Sequence, residues 1–180
     1  MRTYSWEPEL MSQETNQDKE GDTATLAVSA RVEEILTSLE QMIVQFDRLI
    51  AGRSREALQQ PGQDGGWGVV EVLCFLRDWE DVIHDRIVQI IGGEHPEFDD
   101  PDVMMWSLEH DYGAQDAHEV FGQLVALRKA LVERLREMDE AAWERTGVMV
   151  GRGEVTLEEF LEHVIEHDQR YLGEAREAVA

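Results

Sequence analysis

The sequence predicts an all-α protein, a four-helix bundle. Three observations carry that expectation. Four segments place apolar residues every three or four positions, glycines or capping boxes bound those segments, and no run alternates apolar with polar residues long enough to make a strand. Four helices with one apolar face each can cover those faces against one another. A sheet of three or more strands would contradict the expectation.

The first helix is expected over residues 25–51. Val28, Val32, Ile35, Leu39, Met42, Phe46 and Leu49 step by four and three onto one face, and Gly52 supplies the stop. A loop from Gln59 to Gly68, with Pro61 and four glycines, turns the chain. The second helix is expected over 68–91, with Trp67 at its entry. Val72, Phe75, Trp79 and Val82 share one face, Leu76, Ile83, Ile87 and Ile90 lie beside them, and Gly92-Gly93 ends the segment. Residues 94–113 hold Pro96, Pro101 and the pair Asp99-Asp100, a long connection with room for a short helix over 103–108.

Asp116, with Glu119 three residues on, opens a third helix expected over 116–138. Its apolar stripe reads Val120, Leu124, Leu127, Leu131, Leu135 and Met138. Residues 141–153, with Trp143 and three glycines, read as a connection. Thr156 and Glu159 form a second capping box for a fourth helix over 156–177, with Phe160, Val164, His167 and Tyr171 facing inward and Leu157, Leu161, Ile165 and Leu172 flanking them. Residues 1–21 are polar and without period, a tail expected to be mobile in which Trp6 could dock. Residues 22–180 form a single domain.

Composition narrows the functional classes. The formal net charge is −23, from 39 acidic and 16 basic residues. Such a field repels phosphate backbones, so no nucleic-acid partner is expected. No apolar run approaches the roughly 20 residues that span a bilayer, so no membrane partner is expected either. Cys74 is the one cysteine, which rules out a disulfide within the chain and suits a reducing compartment. With no basic-then-apolar order at the amino terminus, the expected location is cytoplasmic.

His163 and His167 are the sharpest chemical signal. Four residues apart on a helix, two imidazoles can reach one metal, but a site needs a third protein ligand. Asp78, His84 and Cys74 are candidates for that place. Cys74 is expected to be a buried, inert thiol, because the residues that follow it are mostly apolar. Arg77, Asp78 and Glu80 either order the mouth of a pocket or, as the preferred expectation, form helix-surface ion pairs. His84, His95, His110 and His118 show no spacing that suggests a site. Trp106 and Tyr112 either roof a pocket or stack in a dimer contact.

The segments GGWGVVEVLCFLRDWE (Gly65–Glu80) and TLEEFLEHVIEHDQRYLGE (Thr156–Glu174) resemble the two metal-bearing helices of the DinB/YfiT-like superfamily of small four-helix bundles. The resemblance extends over roughly Leu26 to Ala178 and also takes in Trp143 and Gly147. It implies a metal held by one histidine from the first segment and two, four residues apart, from the second. Here the first position is Phe75 and the third Tyr171, which leaves His167 alone. The implied account is a former metal site repacked by two rings, with the Tyr171 phenol bonded to His167. Iron ligation by Tyr171 is the other option at that position.

These readings combine into one expectation: a DinB-like bundle without the three-histidine site and without a cofactor. It would act as a binding or interaction protein for an unidentified small molecule. Its pocket would lie at the former metal site, among Phe75, Asp78, Trp79, His163, His167 and Tyr171. The alternative is a transferase, isomerase or hydrolase linked to a low-molecular-weight thiol, with one divalent zinc, nickel or iron ion on His163 and His167. A homodimer is expected, since relatives of this kind often pair and Trp6, Met104, Met105 and Trp106 offer apolar surface.

Overall fold

The computed structural model describes residues 11–62, 65–93, 95–98, 101–103 and 105–180, and of residues 11–29 the backbone only. The described residues divide into two compact units, one up to Glu34 and one from Ile35 onward. In the first, the described backbone is helical from Met11, with an ion pair between Arg31 and Glu34 at 3.0 Å. The helix therefore starts fourteen residues before the expected position, and residues 11–21, read as a polar tail without period, are helical backbone. Tyr4, Trp6 and Leu10 lie outside the described residues.

The second unit is the bundle. Its long helices are the carboxyl-terminal part of α1 (Met11–Ile50), α3 (Val69–Gly92), α5 (Ala117–Arg136) and α7 (Leu157–Ala178), with short helices α2 (Arg55–Leu58), α4 (Trp106–Glu109) and α6 (Glu140–Trp143) in the connections. Both predicted N-cap residues lie at helix starts, and the reciprocal capping box forms at Thr156. The Asp116 carboxylate accepts from the amides of His118 and Glu119, and Thr156 and Glu159 cap each other's backbone amides. α3 packs on both α5 and α7, which makes it the central helix. Its buried residues are almost continuous from Val69 to Leu76. Ile35, Leu39, Met42, Phe46 and Ile50 bury the inner face of α1. Hydrogen bonds from Arg136 to Glu40 at 3.0 Å and from Arg176 to Gln45 at 2.8 Å tie this helix to α5 and α7.

The four long helices form the expected bundle, and a small three-stranded sheet, which the sequence reading excluded, is added to it. Strand β1 (Glu97–Phe98) runs parallel to β2 (Thr146–Met149), which pairs antiparallel with β3 (Gly153–Thr156). It falls in the two segments read as connections, and its strands of two and four residues are too short to show a period in sequence. Gly147 is required there. A Cβ at this position would come within 2.8 Å of a Phe98 ring carbon and 3.2 Å of an Ile90 side-chain carbon. The three-residue turn closing the hairpin has Gly151 at φ 83°, a left-handed conformation that glycine adopts without strain. The sheet leans on α7, where the Phe98 ring meets Phe160 edge-on at 6.1 Å. It thereby carries Met149 and Arg152 toward the helix that bears His163 and His167.

The stripe on α5 also differs from the expected one. Leu127 is exposed, and its neighbour Arg128 is buried with 1% of its surface accessible. The buried positions Val120, Leu124, Arg128, Leu131 and Leu135 step by 4, 4, 3 and 4, a spacing as helical as the one through Leu127, so period alone does not choose between positions 127 and 128. No helix among the described residues is long and apolar enough to cross a membrane.

Candidate functional site

α3 and α7 bring four of the predicted residues together. The rings of Phe75 and Tyr171 lie 4.8 Å apart, and the His167 imidazole lies 5.7 Å from the first and 4.7 Å from the second. Trp79, one turn beyond Phe75, stacks on His167 at 5.0 Å with 18° between the planes. Two tryptophans from the connections extend the cluster. Trp67 approaches Phe75 at 5.2 Å and Tyr171 at 6.2 Å, and Trp106 on α4 approaches Phe75 at 6.1 Å and Trp79 at 6.2 Å. Trp106 thus packs on the ring cluster and is not one of the residues that line the pocket beside it. Ring pairs at these separations add to the burial of their apolar surface.

Beside the cluster lies a pocket of about 230 Å³. Phe75, Trp79, Phe160, His163, His167 and Tyr171 line it together with Arg86, Arg152 and Arg170. The Tyr171 hydroxyl accepts a hydrogen bond from Arg170 Nη2 at 2.9 Å, and that guanidinium lies 4.6 Å from the centre of the phenol ring. The partner expected for this hydroxyl was His167, and the structure gives it Arg170 instead. Burial raises the phenol above its ordinary pKa, which favours the neutral form. His163 Nδ1 accepts from Arg152 Nη1 at 3.0 Å, so the tautomer with its proton on Nε2 fits this contact.

Asp78 is not among the lining residues. Its carboxylate accepts from Arg77 Nε and Tyr112 Oη, both at 2.7 Å, and pairs with His110 Nδ1 at 2.7 Å. Burial pushes this carboxyl up, but the three hydrogen bonds outweigh it and hold the group below its ordinary value. The network fixes the connection around α4 to α3 and so holds Trp106 over Phe75. Cys74, on the same stretch of α3, donates to the Tyr112 carbonyl at 3.8 Å. Burial is the main influence on its thiol, which is pushed up to about 12.

Sequence reasoning missed the most buried polar group. Arg128 on α5 donates through Nε to Glu80 Oε1 on α3 at 2.8 Å and through Nη1 to Asp168 Oδ2 on α7 at 2.6 Å. All three residues are buried, which corrects the surface pairing expected for Glu80. Burial opposes the charge on Arg128, and the two carboxylates overcome it and raise its pKa. For Glu80, burial prevails over Arg128 and raises the carboxyl. The triad joins α3, α5 and α7, and Asp168 follows His167 in the chain. One signal was available in sequence: Arg128 is in phase with the apolar residues of its helix.

Among the described residues, no group of three His, Cys, Asp or Glu side chains is placed to hold a metal ion. At the position given by the resemblance, Phe75 offers no donor atom and the Tyr171 hydroxyl is turned to a guanidinium. The side chains present there do not fit a metal centre.

The family profile of the DinB superfamily matches residues 38–175. Two solved structures share the fold. YfiT from Bacillus subtilis is described as a probable metal-dependent hydrolase with an unusual four-helix bundle topology. It is 21% identical, with a TM-score of 0.73 over 82% of this chain and 85% of its own. A mycothiol-dependent maleylpyruvate isomerase is 15% identical, with a TM-score of 0.66 over 83% of this chain and 62% of its own. No curated protein matches the sequence.

Proposed function

The chain belongs to the DinB superfamily, and from that premise we propose that it is a binding protein that has lost the superfamily's metal centre. Its ligand is a small organic molecule held in the pocket beside Phe75, His167 and Tyr171. One observation carries the reading: rings occupy two of the three places where the resemblance puts metal ligands, in direct contact with His167, while an open pocket remains beside them. A metal site emptied by substitution would leave a polar cavity, which is costly to keep dry. Rings that fill it remove that cost and leave apolar walls for a ligand. The same reading places the protein in the cytoplasm, with no nucleic-acid partner and with a second copy of the chain as its partner.

The competing reading is metal-dependent chemistry of the kind named for the two similar structures. It is supported by His163 and His167, which lie one turn apart on α7 and line the same pocket. It needs a third ligand and requires His163 to exchange its contact with Arg152 for a metal. Calorimetric titration of untagged protein with zinc and nickel decides between them. The binding reading expects no stoichiometric uptake by the wild type. Uptake of one equivalent that is lost in His163→Ala would overturn it.

A further inference from the structure

The pocket reverses the charge pattern of the chain. In a protein with 39 acidic and 16 basic residues, the described lining carries three arginines and two histidines and no carboxylate. The arginines come from three separate elements: Arg86 from α3, Arg152 from the β2–β3 turn and Arg170 from α7. Local sequence therefore does not explain their convergence.

Each guanidinium is held in place. Arg86 is buried, with its guanidinium carbon 5.4 Å from the centre of the Trp79 ring and 5.2 Å from that of Phe98. Arg152 donates to His163, and Arg170 lies over the Tyr171 ring with its Nε 3.4 Å from Glu174 Oε1. A guanidinium has five N–H donors in a planar fork that matches a carboxylate or phosphate. Among the described residues, these contacts engage only one or two donors of Arg152 and of Arg170.

We propose that the pocket binds an organic oxyanion, a ring or short chain bearing one carboxylate or phosphate group. The proposal deepens the binding reading above and rests on it. The apolar part of the ligand packs on Phe75, Trp79 and Phe160, and the acid group meets Arg86, Arg152 and Arg170. An apolar cavity of about 150 Å³ holds benzene. The roughly 230 Å³ here therefore has room for one ring and an acid group. An anion that leaves water needs charged donors to replace its hydration, and the guanidinium groups supply them.

The test uses the full chain and three probes: benzoate, phenyl phosphate and the neutral isostere benzamide. Binding is followed by calorimetry and by the fluorescence change of Trp79 and its neighbours. One equivalent of benzoate or phenyl phosphate is expected to bind, with benzamide weaker by about tenfold or more. The stronger of the two acids identifies the group. Raising the ionic strength to about 1 M, where the screening length falls to about 3 Å, should weaken the anions and leave benzamide unchanged. Arg152→Gln and Arg170→Gln, both at exposed positions, should each weaken the anions about tenfold and benzamide by clearly less, since it loses a hydrogen bond but no charge pairing. Equal affinity for benzoate and benzamide would overturn the oxyanion inference and leave the binding reading standing. Failure of all three probes to bind would overturn both.

Discussion

Arg128 Nη1 donates to Asp168 Oδ2 at 2.6 Å across 40 residues of sequence, and neither side chain exposes more than 3% of its surface. With Glu80 as the second acceptor, one cation joins three helices of the bundle in a place where water cannot replace a missing partner. Removing one member of such a buried set strands the others, at a cost of roughly 3–5 kcal/mol.

Arg128→Met is therefore expected to lower unfolding stability by about that amount at neutral pH. Part of the loss should return as pH falls, because the stranded carboxylates can then take up protons. Combining Arg128→Met with Glu80→Gln and Asp168→Asn should recover more of it. Denaturant unfolding of the single and triple variants measures both effects. A loss below about 1 kcal/mol in the single variant would contradict the structure.

The double change Phe75→His with Tyr171→His should create three imidazoles around one point, an arrangement with an open position that zinc accepts. Uptake of about one equivalent is expected, with a rise in melting temperature in the presence of metal. Each single change should bind weakly. A double variant that folds but ignores zinc and nickel would show that positions 75, 167 and 171 do not converge as the rings suggest.

Asp78 should contribute to acid sensitivity. Its folded pKa lies below the ordinary value of 3.8, so its contribution is complete above that value. It is lost as pH falls through the lower, folded one. Glu80, raised above its ordinary 4.5, acts in the opposite sense, since its protonation as pH falls favours the folded state. The difference between the wild type and Asp78→Asn isolates the Asp78 part. The variant should lose less stability than the wild type between about pH 4 and pH 2. Parallel curves over that range would rule out the depressed pKa.

Cys74 should resist modification. A buried thiol held near pKa 12 presents almost no thiolate at pH 8. A disulfide reagent should therefore titrate no thiol in the native protein and one in denaturant. Rapid labelling under native conditions would mean that the α3 region opens readily.

A homodimer is the expected state in solution. Of the residues that suggested it, Trp6 and Met104 lie outside the described residues, and Trp106 packs on Phe75 and Trp79. Met105 and Leu108 are exposed at the start and on the surface of α4. Light scattering should give about twice the 20.6 kDa chain mass, and Leu108→Glu should lower it. A single-chain mass over a wide concentration range would refute the dimer.

The sequence by itself determined the four long helices, because apolar period and capping residues are local properties that the backbone obeys wherever it lies. It placed Phe75, Trp79, His167 and Tyr171 on facing stripes for the same reason. Only the tertiary structure decided what those stripes enclose. A two-residue strand such as β1 has no period of its own, and its pairing with β2 joins segments about fifty residues apart. An arginine in an apolar stripe reads as solvent-facing until its partners are known, and the partners of Arg128 lie on two other helices. The three arginines of the pocket are likewise far apart in sequence, and their shared field exists only once the fold brings them together.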